Sequence, residues 1–188
     1  TLVIVQRDYD IQKIDGLPSK MVSPGPEEMA RIREDVRLVA AARGHDRDLD
    51  HFREGFIWPA EGIISGVFGS QRILNGEPRR PHYGIDIAAP EGTPVRAAMS
   101  GVVTLAYDLY FTGLTVIIDH GRGLSTTYSH LKSMTVREGQ EVRQGAVIGT
   151  VGSTGRSTGP HLDWRLNLLR TRLDPGLVVG PMPAQKRN

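Results

Sequence analysis

From Phe56 onward the sequence is a series of short runs of Val, Ile and Thr broken by Gly, and this texture limits the fold more than any other feature. The clearest run is 161–168. Leu162, Trp164 and Leu166 fall on one set of alternate positions, and His161, Asp163 and Arg165 on the other. A period of two is the signature of a strand with one apolar and one polar face. Further strands are expected at 62–68, 83–88, 94–98, 101–107, 114–119, 125–130 and 146–151. Short strands joined by close turns imply a mainly β protein, an antiparallel β-sandwich or split barrel. With 22 Gly and 12 Pro in 188 residues, tight turns are plentiful, and the length allows one domain plus an appendage.

The appendage is N-terminal. Leu2-Val3-Ile4-Val5 is a short strand candidate, followed by a polar, extended arm in which Pro18, Pro24 and Pro26 forbid regular structure. Residues 27–43 are expected to be helical. Pro26 suits the first turn, Glu27 and Glu28 complement the positive end of the helix dipole, and Gly44 stops the helix. Met29, Ile32, Val36, Val39 and Ala40 make an apolar stripe for packing against the main domain. Residues 44–55 are charged and read as a linker. The expected organisation is therefore an arm, helix and linker over 1–55, a β domain over 56–180 and a tail over 181–188.

Charge and composition exclude several classes. A net charge of +2, without a basic stripe interleaved with aromatics, is no nucleic-acid-binding signature. No apolar run approaches the ~20 residues that span a bilayer. With no cysteine there are no disulfides and no thiol chemistry. No signal peptide is present, and a start at Thr1 rather than Met fits a processed or truncated form.

Three polar clusters lie on the strand-like segments. His82 and Asp86 are four residues apart around Gly84; if the strand starts early enough, all three share a face, with open space over the glycine. An imidazole and a carboxylate pointing into one gap suit a divalent transition metal. His161 and Asp163 form the second cluster, and His130, at the end of a β-like run, the third. His120 reads either as an orienting residue or as a turn histidine. Tyr107, Tyr110 and Arg165 are secondary candidates for substrate contact. The 152–159 loop is rich in Gly, Ser and Thr but lacks the lysine and helix of a phosphate loop, so it reads as a turn. Residues 136–152 have the spacing of small biotinyl or lipoyl carrier domains, but Lys132 stands in a poor context for a carrier lysine.

Taken in order, Gly84-Ile85-Asp86-Ile87-Ala88-Ala89-Pro90, Gly92-Thr93-Pro94-Val95, Asp119-His120-Gly121, Tyr128-Ser129-His130-Leu131, residues 136–152 and Gly159-Pro160-His161-Leu162 resemble the LytM/lysostaphin-like zinc endopeptidases. The resemblance covers about residues 58–178. It implies hydrolysis of peptide bonds in bacterial peptidoglycan, in the stem peptide or cross-bridge, and a place in the bacterial cell envelope, periplasmic or secreted. It implies one Zn²⁺ per chain, with His82 and Asp86 as ligands, and His130 and His161 as catalytic histidines. One histidine takes the proton of the attacking water, and the other hydrogen-bonds the oxyanion and supplies a proton to the leaving amine.

The family pattern has a histidine ligand at the position of Asp163. An aspartate oxygen and a histidine Nδ1 lie the same number of bonds from Cβ, so Asp163 is expected to serve as the third ligand. One histidine and two aspartates leave a divalent metal formally neutral, where two histidines and one aspartate leave +1. The bound water is then less acidic, and selectivity extends toward manganese. The alternative is a weak or inactive domain that binds cell wall or regulates a partner hydrolase.

Overall fold

The computed structural model describes residue 9 and residues 11–182; the strand expected at Leu2–Val5 lies outside them. An N-terminal strand, β1 (Ile11–Ile14), is followed by a one-turn helix α1 (Ser19–Val22) and the long helix α2 (Pro26–Ala42). The strands of the β region follow: β2 (Ile63–Gly66), β3 (Gln71–Leu74), β4 (Glu77–Pro78), β5 (Ile85–Ala88), β6 (Pro94–Arg96), β7 (Gly101–Leu109) and β8 (Gly113–Gly121). The last are β9 (Leu124–Met134), β10 (Glu141–Val142), β11 (Val147–Val151), β12 (His161–Leu168) and β13 (Thr171–Leu173).

The expected mainly β, antiparallel architecture is met. One large sheet runs β10-β7-β8-β9-β12-β5-β2, and β6 pairs with β11 beside the end of β9. Among the described residues this sheet does not close into a barrel. Ile85 and Ile87 of β5, Tyr128 of β9, and Leu162 and Trp164 of β12 point into one core, with Val95 of β6 and Ile148 of β11 closing it from the other side. The alternation read in 161–168 is thus a true division. Its apolar set fills the core, and its polar set lies on the opposite face, which α2 partly covers.

The structure departs from the expected elements in three places. The arm does contain regular structure: α1 fits between Pro18 and Pro24, and β1 pairs parallel with β3. Asn75-Gly76 and the charged run Glu77–Arg80, which predict a loop before His82, instead hold the turn and second strand of the antiparallel β3–β4 pair. The stripe on α2 is rotated. Leu38, Val39 and Ala42 pack on Leu105, Leu109 and Ile117, while Val36 and Met29 remain exposed. Polar anchors set the rotation: Asp35 accepts from the Tyr110 backbone N–H at 2.7 Å, and Arg31 donates to the Asp108 carbonyl at 2.9 Å. The helix start is as expected, with the Glu28 carboxylate accepting from the Gly25 N–H at 3.1 Å.

Candidate metal centre

The centre lies where β5 and β12 run antiparallel. Asp86 and Asp163 are direct cross-strand partners, so their side chains emerge side by side on the face away from the core. His82 does not share their strand, because β5 begins only at Ile85. It reaches the same place from the preceding loop, where its backbone exchanges hydrogen bonds with Ser70 and Gly69 at 2.9 and 2.8 Å. The ligand atoms of His82, Asp86 and Asp163 all lie within 4.8 Å of one another, and all three residues are buried.

Two glycines keep the space open. A Cβ on Gly66 would stand 2.5 Å from an Asp86 carboxylate oxygen, and one on Gly84 would stand 2.7 Å from Asp163 Oδ1 and 2.8 Å from the Trp164 carbonyl. Gly84→Ala should therefore cost about 1–3 kcal/mol of stability and displace the Asp163 carboxylate. Urea unfolding checks the first effect and metal retention the second; a variant equal to the parent in both would refute the packing argument.

The electrostatics are tight. Burial opposes ionisation of Asp163, but the Arg165 guanidinium and His82 outweigh it and hold the carboxyl well below its usual range. Arg165 Nε reaches both Asp163 oxygens, at 2.9 and 3.1 Å, and Nη2 joins one of them. Burial likewise opposes ionisation of Asp86, and the His82 ring beside it and the charge of Arg72 lower its pKa despite the nearby Asp163. Arg72 on β3 donates to Asp86 Oδ2 and also contacts Gln12 Oε1 on β1 at 3.3 Å.

Do these residues fit a metal? His82 Nε2 and Asp86 Oδ1 are buried without a hydrogen-bond partner, although they lie 3.1 Å apart. A buried imidazole nitrogen and carboxylate oxygen left side by side without hydrogen-bond geometry are costly unless a third group bonds to both. One imidazole nitrogen and two carboxylates are a donor set for zinc or a somewhat harder divalent cation. The residues fit.

Two more histidines flank the cluster. The His130 and His161 rings are 4.7 Å apart between centroids, and His161 Nε2 is 4.0 Å from Asp86 Oδ1. His130 adopts φ 63°, and β9 bulges there against β8: Tyr128 pairs with Val116 and Leu131 with Leu114, three steps on β9 against two on β8. In a regular strand, consecutive residues face opposite sides; the bulge lets His130 join Ser129 on the polar face. His130 Nδ1 lies 2.7 Å from the Thr154 carbonyl, and His161 Nδ1 lies 2.9 Å from the Gly159 carbonyl. A carbonyl only accepts, so both rings carry their proton on Nδ1 and, when neutral, present bare Nε2 atoms. The 152–159 loop is thus more than a turn, since its backbone fixes both tautomers. No residue type in the loop announces this, because carbonyls do the work.

Burial, followed by the charge of His161, pushes His130 down to about 4. His120 is neither a groove residue nor a turn residue. It is buried in β8, with Nδ1 at 2.8 Å from the Ser100 carbonyl and Nε2 at 2.7 Å from Thr126 Oγ1. Burial lowers its pKa to about 4. The unfolded chain protonates this ring near 6.5 and the folded one does not. Stability is therefore full above pH 6.5 and falls by up to about 3 kcal/mol as pH drops toward 4. The His120 ring resonances should stay those of neutral imidazole down to pH 5.5; a midpoint near 6.5 would contradict this environment. Of the secondary candidates, Tyr110 donates its hydroxyl to the Lys20 carbonyl at 2.9 Å, and Tyr107 is exposed.

The sequence model of peptidase family M23 matches residues 80–175, which hold all five of these site residues. The chain belongs to peptidase family M23. It is 43% identical over 172 residues to the peptidoglycan DD-endopeptidase ShyA of Vibrio cholerae, covering 87% of this chain and 39% of that one. Its structure resembles a putative M23 peptidase from Pseudomonas aeruginosa with a TM-score of 0.73 and 37% identity, covering 81% of this chain and 62% of the other. A zinc-containing peptidase from Vibrio cholerae superimposes with a TM-score of 0.60 and 30% identity, covering 69% and 41%. The chain thus spans less than two thirds of each of these longer proteins. Among the described residues, no helix is long and apolar enough to cross a membrane.

Proposed function

We propose that this chain carries the catalytic unit of a zinc-dependent endopeptidase that hydrolyses peptide bonds in bacterial peptidoglycan, acting in the cell envelope. The observation that carries this reading is the buried His82–Asp86–Asp163 cluster, with two tautomer-fixed imidazoles beside it on one sheet face. The names of the relatives supply the substrate class, and the zinc-containing Vibrio structure supports the metal.

In this reading His82, Asp86 and Asp163 hold the metal, Asp163 standing where the family resemblance expects a histidine. When bound, the metal supplies Lewis acidity that polarises water and the scissile carbonyl. The chain's own groups handle the protons. The bare Nε2 of one histidine accepts the proton of the attacking water, and thereby becomes a donor at the same atom. It can then hydrogen-bond the developing oxyanion or pass the proton to the leaving amine. Burial disfavours the imidazolium of His130, so a proton taken there is held weakly. Fixing each Nδ1–H on a backbone carbonyl removes the competing tautomer, so Nε2 is always the reacting nitrogen.

One observation favours a second reading. Arg165 takes both oxygens of Asp163, and Arg72 takes one of Asp86, so the two carboxylates are already neutralised by two guanidiniums. A centre held closed in this way would be a weak or inactive M23 unit that binds cell wall or regulates a partner hydrolase. Digestion of purified peptidoglycan by the metal-loaded chain separates the two. New peptide termini, identified by product mass, are expected from an endopeptidase; intact polymer after prolonged incubation would favour the second reading.

A further inference from the structure

A cavity of about 960 Å³ opens on the same sheet face as the metal cluster, between α2 and the strands β9 and β12. It adjoins the cluster directly: Arg165 lines it while bonded to Asp163, and Ser129 lines it as the cross-strand partner of Asp163. Its charge is lopsided. Arg43, Arg165, Arg170 and Arg172 line it against one carboxylate, Asp35, whose Oδ2 already accepts from the Tyr110 backbone. Even counting Asp163 behind Arg165, cations exceed anions by two.

Two donors in this cavity lack partners. Arg43 Nη2 donates to Thr127 Oγ1 at 2.8 Å, but its Nε is buried with no hydrogen-bond partner. Ser129 is fully buried, and its Oγ is likewise unpartnered. A buried guanidinium nitrogen left unbonded is costly, and an anion relieves that cost best. Burial, followed by the charges of Arg165 and Arg172, lowers the Arg43 pKa to about 10, as expected where like charges converge with too few counter-ions. One wall is apolar: Ile32, Val36 and Val39 of α2 face the cavity with Phe111 and Leu169, while Thr115, Asn167 and Thr171 keep the sheet side polar; Val36 and Leu169 are more than half exposed.

We infer that this cavity binds the carboxylate end of a peptide, with Arg43, Arg172 and Ser129 holding the carboxylate and the α2 wall covering the apolar side chain next to it. Planar guanidiniums match a carboxylate two-point acceptor, and the mixed lining matches a group that is anionic at one end and apolar beside it. The inference rests on the peptidase reading for its direction, since the pocket begins one side chain from the metal cluster. It names the substrate feature recognised there: a free carboxyl group close to the bond cleaved.

The test is a binding titration followed by NMR on the full chain. N-acetyl-leucine is the probe, with N-acetyl-leucinamide and inorganic phosphate as comparators, and each is run on chelator-dialysed and on zinc-loaded protein. Expected is binding of the acid in both forms, shifts at the Arg43, Thr127 and Arg172 amides, and at least tenfold weaker binding of the amide. Arg43→Gln and Arg172→Gln lie on different elements, and each should weaken the acid about tenfold. Equal binding of acid and amide, or unchanged binding in both variants, would overturn the inference. Tighter binding of phosphate than of the acid would reassign the pocket, and binding only with zinc would place the acid on the metal instead. Failure of the peptidase reading looks different: the acid would still bind the metal-free chain while peptidoglycan stays intact.

Discussion

His82→Ala should lose both the metal and the activity. The ring supplies the one nitrogen of the donor set, and its buried Nε2 has no other partner. Two carboxylates flanked by Arg72 and Arg165 would remain, a pair already neutralised by guanidiniums and a poor cation site. Retained zinc should fall below a tenth of the parent value, and peptidoglycan hydrolysis by about a thousandfold or more. The fold should survive, because His82 sits in a loop anchored through its backbone to Ser70 and Gly69. Retention of zinc by the variant at the parent level would remove His82 from the ligand set.

The two flanking histidines should behave in the opposite way. His161→Ala and His130→Asn are expected to cut turnover by about 10²–10⁴-fold, the usual range for a general acid or base, with the zinc content unchanged. Asparagine is the better probe at 130, because the residue sits at φ 63°, where alanine is strained and asparagine is tolerated. The distinction is sharpest at His161, whose Nε2 is 4.0 Å from Asp86 Oδ1 and so lies at the edge of the cluster. Loss of metal in His161→Ala would make it a ligand and would require a different proton carrier.

The sequence carried the parts of this architecture that depend on alternation and on end chemistry. The period of two at 161–168 placed Leu162, Trp164 and Leu166 in the core and His161, Asp163 and Arg165 on the polar face. Glu27, Glu28 and Pro26 marked the start of α2. The hairpin at 71–78 leaves little sequence signal because its strands are only four and two residues long, and parallel pairing with β1 stabilises it from 60 residues away. The α2 face differs from its apolar stripe for a similar reason, because Arg31 and Asp35 fix the helix rotation through partners on a distant strand. At the site, residue types revealed the donors but not their restraints. Arg72 reaches Asp86 from β3, and the carbonyls of Thr154 and Gly159 orient the histidines without any side-chain signal. The bulge that turns His130 to the polar face is equally silent, since a positive φ at a histidine leaves no mark in the sequence.

Asp163 completes the centre only if the metal draws its carboxylate from Arg165. The direct measurement is to load the protein with zinc, dialyse it, and count metal atoms per chain by elemental mass spectrometry, for the parent and for Asp163→Ala. About one zinc per parent chain, and far less in the variant, is the predicted result. Equal zinc in the two proteins, or none retained by the parent, would contradict a centre built from His82, Asp86 and Asp163.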